Sequence, residues 1–291
     1  MRLGIGQGTR ALRIRETDVA QLLHTSKKEH AVKCLSGMFR SRRRAHTALA
    51  AVVAVGSLAG FAQRAHAGPA STIYTPIVDY REWELELKAG VQDWGNQDEG
   101  ERASKIAIGY GIAPRWAVEF EAEYSQTPGH VAHVEEYEFE NIFQLTEHGE
   151  HWLDMGIFAE LEHNRLENEN ELKFGPMFQR EWGRSQANLN VYFARELSEP
   201  EDADAERNEI EYQAQWKYNL HPQFQPGLQA FGSLGDPAHL HSAELKVGPA
   251  FFGTASLGNG KKLNYNAALL GGLTRETPNT TLRMQLEYEF F

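Results

Sequence analysis

The chain of 291 residues carries 29 Lys and Arg against 40 Asp and Glu, 12 His and one Cys, with a mean hydropathy of −0.52. A formal net charge of −11 argues against nucleic acid as a partner, because phosphates need a basic footprint. A single Cys rules out an internal disulfide framework, and no stretch outside the N-terminal region approaches the roughly 20 apolar residues of a spanning helix.

In chain order, residues 1–37 are polar and aperiodic, and read either as a mis-assigned start or as an extended leader ahead of Met38. Met38 to Arg44, MFRSRRR, is basic; Ala48 to Ala62 is apolar but short for a bilayer; Ala65-His66-Ala67 offers the small residues a signal peptidase reads. These three features predict a secretory signal peptide over 38–67. Residues 1–67 hold twelve of the basic and three of the acidic side chains, so a chain cleaved after Ala67 keeps 17 and 37, a net of −20. Cys34 would be lost with the leader, and residues 68–80 are expected to form a short periplasmic N-terminal segment.

From residue 81 onward the pattern has period two, the period of a strand with unlike faces. Trp83, Leu85, Leu87, Ala89 and Val91 alternate with Glu84, Glu86 and Lys88; Trp116, Val118, Phe120, Ala122 and Tyr124 alternate with Glu119, Glu121 and Glu123. Tyr137 and Phe139 oppose Glu136, Glu138 and Glu140, and Ile210, Tyr212, Ala214 and Trp216 oppose Glu209 and Glu211. The expected strands are 81–92, 102–112, 114–125, 133–146, 152–163, 170–182, 185–196, 207–219, 222–232, 241–252, 262–273 and 280–291. Each is close to the ~9–11 residues that cross a bilayer at a tilt. Connections after odd strands are mostly longer and polar, and those after the second, sixth and eighth are tight, with Gly253 to Lys261 as the exception. The last strand alternates Leu282, Met284, Leu286, Tyr288 and Phe290 with Arg283, Gln285, Glu287 and Glu289, and then stops at Phe291.

This pattern predicts an all-β fold: a transmembrane antiparallel up-and-down barrel of about twelve strands over 81–291. Trp83, Trp116, Trp152, Trp182 and Trp216 all fall at one predicted rim, and with Tyr288 and Phe290 they form an expected belt of interface aromatics. The exported strand pattern with its closing Tyr288, Phe290 and Phe291 resembles bacterial outer-membrane β-barrels. That resemblance implies export to a Gram-negative outer membrane, contact with its lipid and lipopolysaccharide, and a C-terminal signal read by the barrel-assembly machinery. Thr72 to Val78, followed by the Glu-rich first strand, is similar to proteobacterial transport barrels grouped with a phenol-degradation pathway, a likeness that carries no functional residue across.

If the apolar faces meet lipid, the charged faces line a lumen: Glu84, Glu86, Lys88, Glu119, Glu121, Glu123, Glu136, Glu138, Glu140, Glu209, Glu211, Arg283 and Glu287, with Asp154, Glu160, Glu162, Lys173, Arg195, Lys217, Glu244, Lys246 and Glu289. Carboxylates cannot sit unpaired in a dry interior, so they are hydrated or bridged. One reading is a narrow channel that passes small cationic or neutral solutes, because rings of carboxylates select for positive charge. The alternatives are a closed barrel whose side chains interdigitate and serve as a membrane anchor, or a lipid-modifying enzyme at the rim. None of the expected outer loops is long enough to fold in as a large plug. The acidic run Glu199 to Glu206 is a candidate for bridging cations, with a solvated charge run as its bland counterpart.

No cofactor is expected. The pairs His130 and His133, His148 and His151, and His239 and His241 lack the spacing of a zinc signature, so no metal site is predicted. Ser125, Ser233 and His163 could be recruited to hydrolysis, but no motif ties them together. A soluble two-sheet sandwich is the third class; it would bury the oily faces against one another.

Overall fold

The computed structural model describes residues 68–95, 100–126, 132–197, 207–241 and 243–291. The expected signal peptide over 38–67 and the Glu199 to Glu206 run lie outside the described residues. Twelve strands follow in order: β1 (Trp83–Asp93), β2 (Gly100–Ala113), β3 (Trp116–Gln126), β4 (His133–Gln144), β5 (Asp154–Asn164), β6 (Glu169–Trp182), β7 (Ser185–Glu196), β8 (Asn208–Tyr218), β9 (Gln225–Ser233), β10 (Glu244–Gly258), β11 (Lys261–Gly272) and β12 (Thr280–Phe290). Each pairs antiparallel with its sequence neighbours, and β12 returns to β1, from Trp83 opposite Phe290 to Asp93 opposite Thr280, closing one barrel. Closure removes both sheet edges.

The period-two pattern resolves into an outer and an inner wall. Leu87, Ile108, Phe120, Phe139, Leu161, Leu228, Leu269 and Leu282 are each more than 40% exposed, and the residues that alternate with them are buried or half-buried. There is no second sheet among the described residues to cover this outer band. Apolar surface is worth about 25 cal/mol per Å² when it leaves water, so a continuous band of this kind calls for hydrocarbon.

Strand limits fall within a few residues of expectation except in β10, which runs past Phe252 to Gly258 through a register shift near Ser256. The connection expected over 253–261 thereby shrinks to the tight turn Asn259-Gly260. Positive φ at Asn259 (53°) and Gly260 (79°) is what a two-residue hairpin turn with the right twist requires. Pro114-Arg115 and Gly183-Arg184 make similar short turns at the same rim, which also holds Trp83 and Phe290 and is called here the termini rim. The opposite, loop rim carries residues 165–168, 234–241 and 273–279 among others.

Residues 68–80, expected as a short periplasmic N-terminal segment, make contacts with the inner wall. The segment 68–80 runs inside the barrel, from the loop rim beside Gly90 down to the termini rim beside Gly111. The Val78 amide donates to Gln144 Oε1 (2.9 Å), Thr75 Oγ1 donates to Gln179 Oε1 (2.9 Å), and Asn190 Nδ2 donates to the Tyr74 carbonyl (3.2 Å). Glycine makes the passage: a Cβ at Gly90 would lie 1.9 Å from the Pro69 carbonyl oxygen, and one at Gly111 would lie 2.2 Å from that of Asp79. An extended chain needs its amides satisfied, and the inward amide side chains of the wall supply the partners.

Candidate functional site

The inner wall is divided into sectors by which residues alternate inward. Across β3, β4 and β5 the antiparallel register sets carboxylates directly opposite one another. Glu119 faces Glu140 and Glu140 faces Glu160; Glu121 faces Glu138 and Glu138 faces Glu162; Glu123 faces Glu136. Like charges in cross-strand register repel. Three lysines bridge them. Lys88 lies 2.8 Å from Glu86, 3.3 Å from Glu119 and 2.6 Å from Glu121. Lys105 lies 2.9 Å from Glu121, 3.1 Å from Glu123 and 2.6 Å from Glu138. Lys173 reaches Glu160 at 3.2 Å, Glu171 at 3.7 Å and Glu211 at 3.8 Å. Each ammonium, with three donors, holds three carboxylates.

The next sector is neutral and polar. Gln179, Asn188, Gln215 and Gln229 pass hydrogen bonds around β6 to β9, and Arg283 Nη1 donates to Gln229 Oε1 (2.6 Å) and Asn266 Oδ1 (3.1 Å). Beyond it Phe231, Ala250, Phe252, Ala268 and Leu270 form a buried apolar patch that receives Ile73 of the inner segment. At the barrel's middle Tyr74 stacks on Phe158 (4.7 Å between ring centres), which meets Tyr192 (4.9 Å). Tyr74 Oη donates to Glu140 Oε1 at 2.6 Å, and Lys88 Nζ lies 5.5 Å from the Tyr74 ring centre. Segment and stack together fill the bore at this level. Toward the loop rim a cavity of about 700 Å³ remains, with Glu123, Glu136, Glu138, Glu160 and Glu162 on one side and Tyr74, Phe158 and Tyr192 as its floor.

A closed antiparallel barrel of twelve strands, apolar outside and ion-paired inside, can be compared with known structures on these features. The fold is that of an outer-membrane β-barrel. The NanC porin is 9% identical over 71% of this chain and 99% of its own, with a TM-score of 0.50. An outer-membrane channel from Pseudomonas putida F1 is 10% identical over 73% of this chain and 96% of its own, also with a TM-score of 0.50. No family model matches the chain, and no curated protein is similar to it in sequence.

Within this barrel Glu86, Lys88, Glu119, Glu121, Glu123, Glu138, Glu140, Glu211 and Arg283 are buried on the inner wall, and Glu84, Glu136, Glu209 and Glu287 stand on the same face in partial exposure. Arg195, expected inside, stands opposite outward Leu172 on the outer face near the loop rim. The chemistry of Lys105 and of the segment 68–80 was missed. The inward face of β2 reads Ala103, Lys105, Ala107, Gly109, Gly111, and its run of small residues was the available signal that something passes over it.

Trp83, Trp116, Trp182 and Trp216 are 38–46% exposed and Trp152 is 72% exposed, all at the termini rim. Tyr288 and Phe290 stack there at 5.2 Å, and Phe291, 71% exposed, lies beyond β12. At that rim burial and the neighbouring Glu289 push the Glu82 carboxyl up to about 7. The residues considered for hydrolysis do not converge: Ser125 and Ser233 are buried on the inner face, whereas His163 bonds Asn170 on the outer one. His148 pairs with Asp154 at 2.9 Å at the termini rim, and His241 turns back to the His239 carbonyl at the loop rim.

Proposed function

We propose that the protein is an outer-membrane channel for small solutes, preferring cations or neutral molecules, with its N-terminal segment as an internal gate. The observation that carries this reading is the three-rung carboxylate wall of β3, β4 and β5, in which Glu136 and Glu162 have no lysine or arginine within 4 Å among the described residues. A wall built only to close the barrel would balance its charges. An excess of carboxylate around an aqueous cavity concentrates cations and repels anions. The gate is held by a few hydrogen bonds, the Tyr74 ring against Phe158 and an apolar contact at Ile73, few enough to be exchanged for water. The residues considered for hydrolysis lend catalysis no support, since His163 stands on the outer face and Ser125 and Ser233 on the inner one.

A closed barrel acting as an anchor is the second reading, favoured by the Tyr74, Phe158 and Tyr192 stack that fills the bore. Reversal potentials in planar bilayers under a salt gradient separate the two. Stepwise currents with cation preference support the channel, and Glu121→Lys or Glu138→Lys should shift the reversal potential toward the anion value. Currents that never appear, even after removal of residues 68–79, would establish the anchor. Lipid and lipopolysaccharide against the outer band, and assembly machinery reading Tyr288, Phe290 and Phe291, complete the proposal.

A further inference from the structure

The cavity at the loop rim has chemistry beyond a general preference for positive charge. Its volume of about 700 Å³ falls in the range of ligand pockets, about 300–1,000 Å³. Oxygen atoms of four residues lining it are buried without a hydrogen-bond partner among the described residues: Tyr192 Oη, Thr72 Oγ1, Glu211 Oε1 and Gln92 Oε1. Their residues are between 1% and 8% exposed. Buried polar atoms are rarely left unpaired, and four oxygens around one cavity, each able to accept a hydrogen bond and two of them hydroxyls, suit a donor-rich guest.

Lys105 already displays how this wall receives an ammonium, with three carboxylates at 2.6 to 3.1 Å around one nitrogen. Glu136 and Glu162, on the same cavity, have no such cation. Alternate residues on a strand are about 6.6–6.8 Å apart, which sets Glu136, Glu138 and Glu140 at the separation of ammonium groups joined by a few methylenes. The aromatic floor of Tyr74, Phe158 and Tyr192 suits both the methylenes and a cation over a ring. A single metal ion would use one carboxylate cluster and leave the floor and the orphaned hydroxyls unserved.

We propose that this cavity is a binding site for a linear aliphatic polyamine, one ammonium at Glu136 and Glu162 and a second toward Glu211 and Tyr192. The inference rests on the reading of the barrel as a cation-preferring channel, and it names the solute class. The probe is spermidine, titrated calorimetrically into the folded full-length barrel in detergent at fixed ionic strength, with Mg²⁺ as competitor. One saturable site is expected, with Kd at least about tenfold below that of Mg²⁺. The double substitution Glu136→Gln with Glu162→Gln should weaken spermidine about tenfold or more, Tyr192→Phe should weaken it severalfold, and Glu147→Gln, in a rim connection, should leave it unchanged.

Equal displacement by Mg²⁺ would reduce the site to a diffuse acidic surface and overturn the proposal. So would unaltered binding in Tyr192→Phe together with the double variant; if the double variant does not fold, Tyr192→Phe and the Mg²⁺ competition decide. Cation-selective currents without spermidine binding would sink the polyamine site and leave the channel. Spermidine binding in a barrel that never conducts would do the reverse.

Discussion

Tyr74 and Glu140 are 66 positions apart in sequence, yet the tyrosine hydroxyl donates to the glutamate at 2.6 Å, joining the inner segment to the middle strand of the carboxylate wall. The contact combines a charge-assisted hydrogen bond with a ring stacked on Phe158, so it fastens the segment at the level where the bore is filled. Tyr74→Phe keeps the stack and removes the bond. Hydrogen bonds to charged groups contribute about 1.5–3 kcal/mol, so the open population of a gated channel should rise at least about tenfold, read as open probability in single-channel records. Unchanged gating would mean that the segment does not move when the channel opens.

Gly90 admits the segment because it has no side chain. Gly90→Val places atoms where the Pro69 carbonyl oxygen now stands, 1.9 Å from an ideal Cβ, while the wall at that point needs no glycine φ. The barrel should keep its unheated gel mobility, and residues 68–75 should become sensitive to protease added from the loop side. A segment that stays protected would place its path elsewhere.

Met284 stands on the outer face near the middle of β12, 50% exposed and opposite Ala89 and Ala267. Lipid at that position makes Met284→Arg cost about 2–4 kcal/mol in denaturant unfolding from vesicles. Water there would make the change nearly neutral, an outcome at odds with a membrane barrel.

Lys105 compensates Glu121, Glu123 and Glu138 at once. Lys105→Met leaves Glu123 and Glu138 crowded without their cation and Glu121 with Lys88 alone, and stability should fall by about 3–5 kcal/mol. Adding Glu121→Gln and Glu138→Gln should restore much of the loss, because the repulsion is removed with the charges. A triple variant no more stable than the single one would argue that packing of the lysine stem, not its charge, supports the wall.

Several of these features were legible before any fold was known. Charged alternation in β1, β3 and β4 assigns Glu119, Glu121 and Glu138 to one face, since only a strand sends alternate residues to opposite sides. In β10 and β11 the same reasoning stops at the pairs Phe251-Phe252 and Leu269-Leu270, where both faces are apolar and period two cannot say which residue points inward. The length of β10 was likewise hidden, because Gly253 and Gly258 read as loop residues until the Asn259-Gly260 turn is seen.

The sequence by itself determined the strands, their number, the greasy outer face and the acidic inner one, because these follow from local periodicity and from the cost of leaving apolar surface in water. Tertiary structure alone decided which carboxylates meet, which lysine serves three of them, and that residues 68–80 thread the bore. Register and closure bring together side chains far apart in the chain, and a short proline-containing segment without alternation acquires its place only from the glycines and amides of the wall around it.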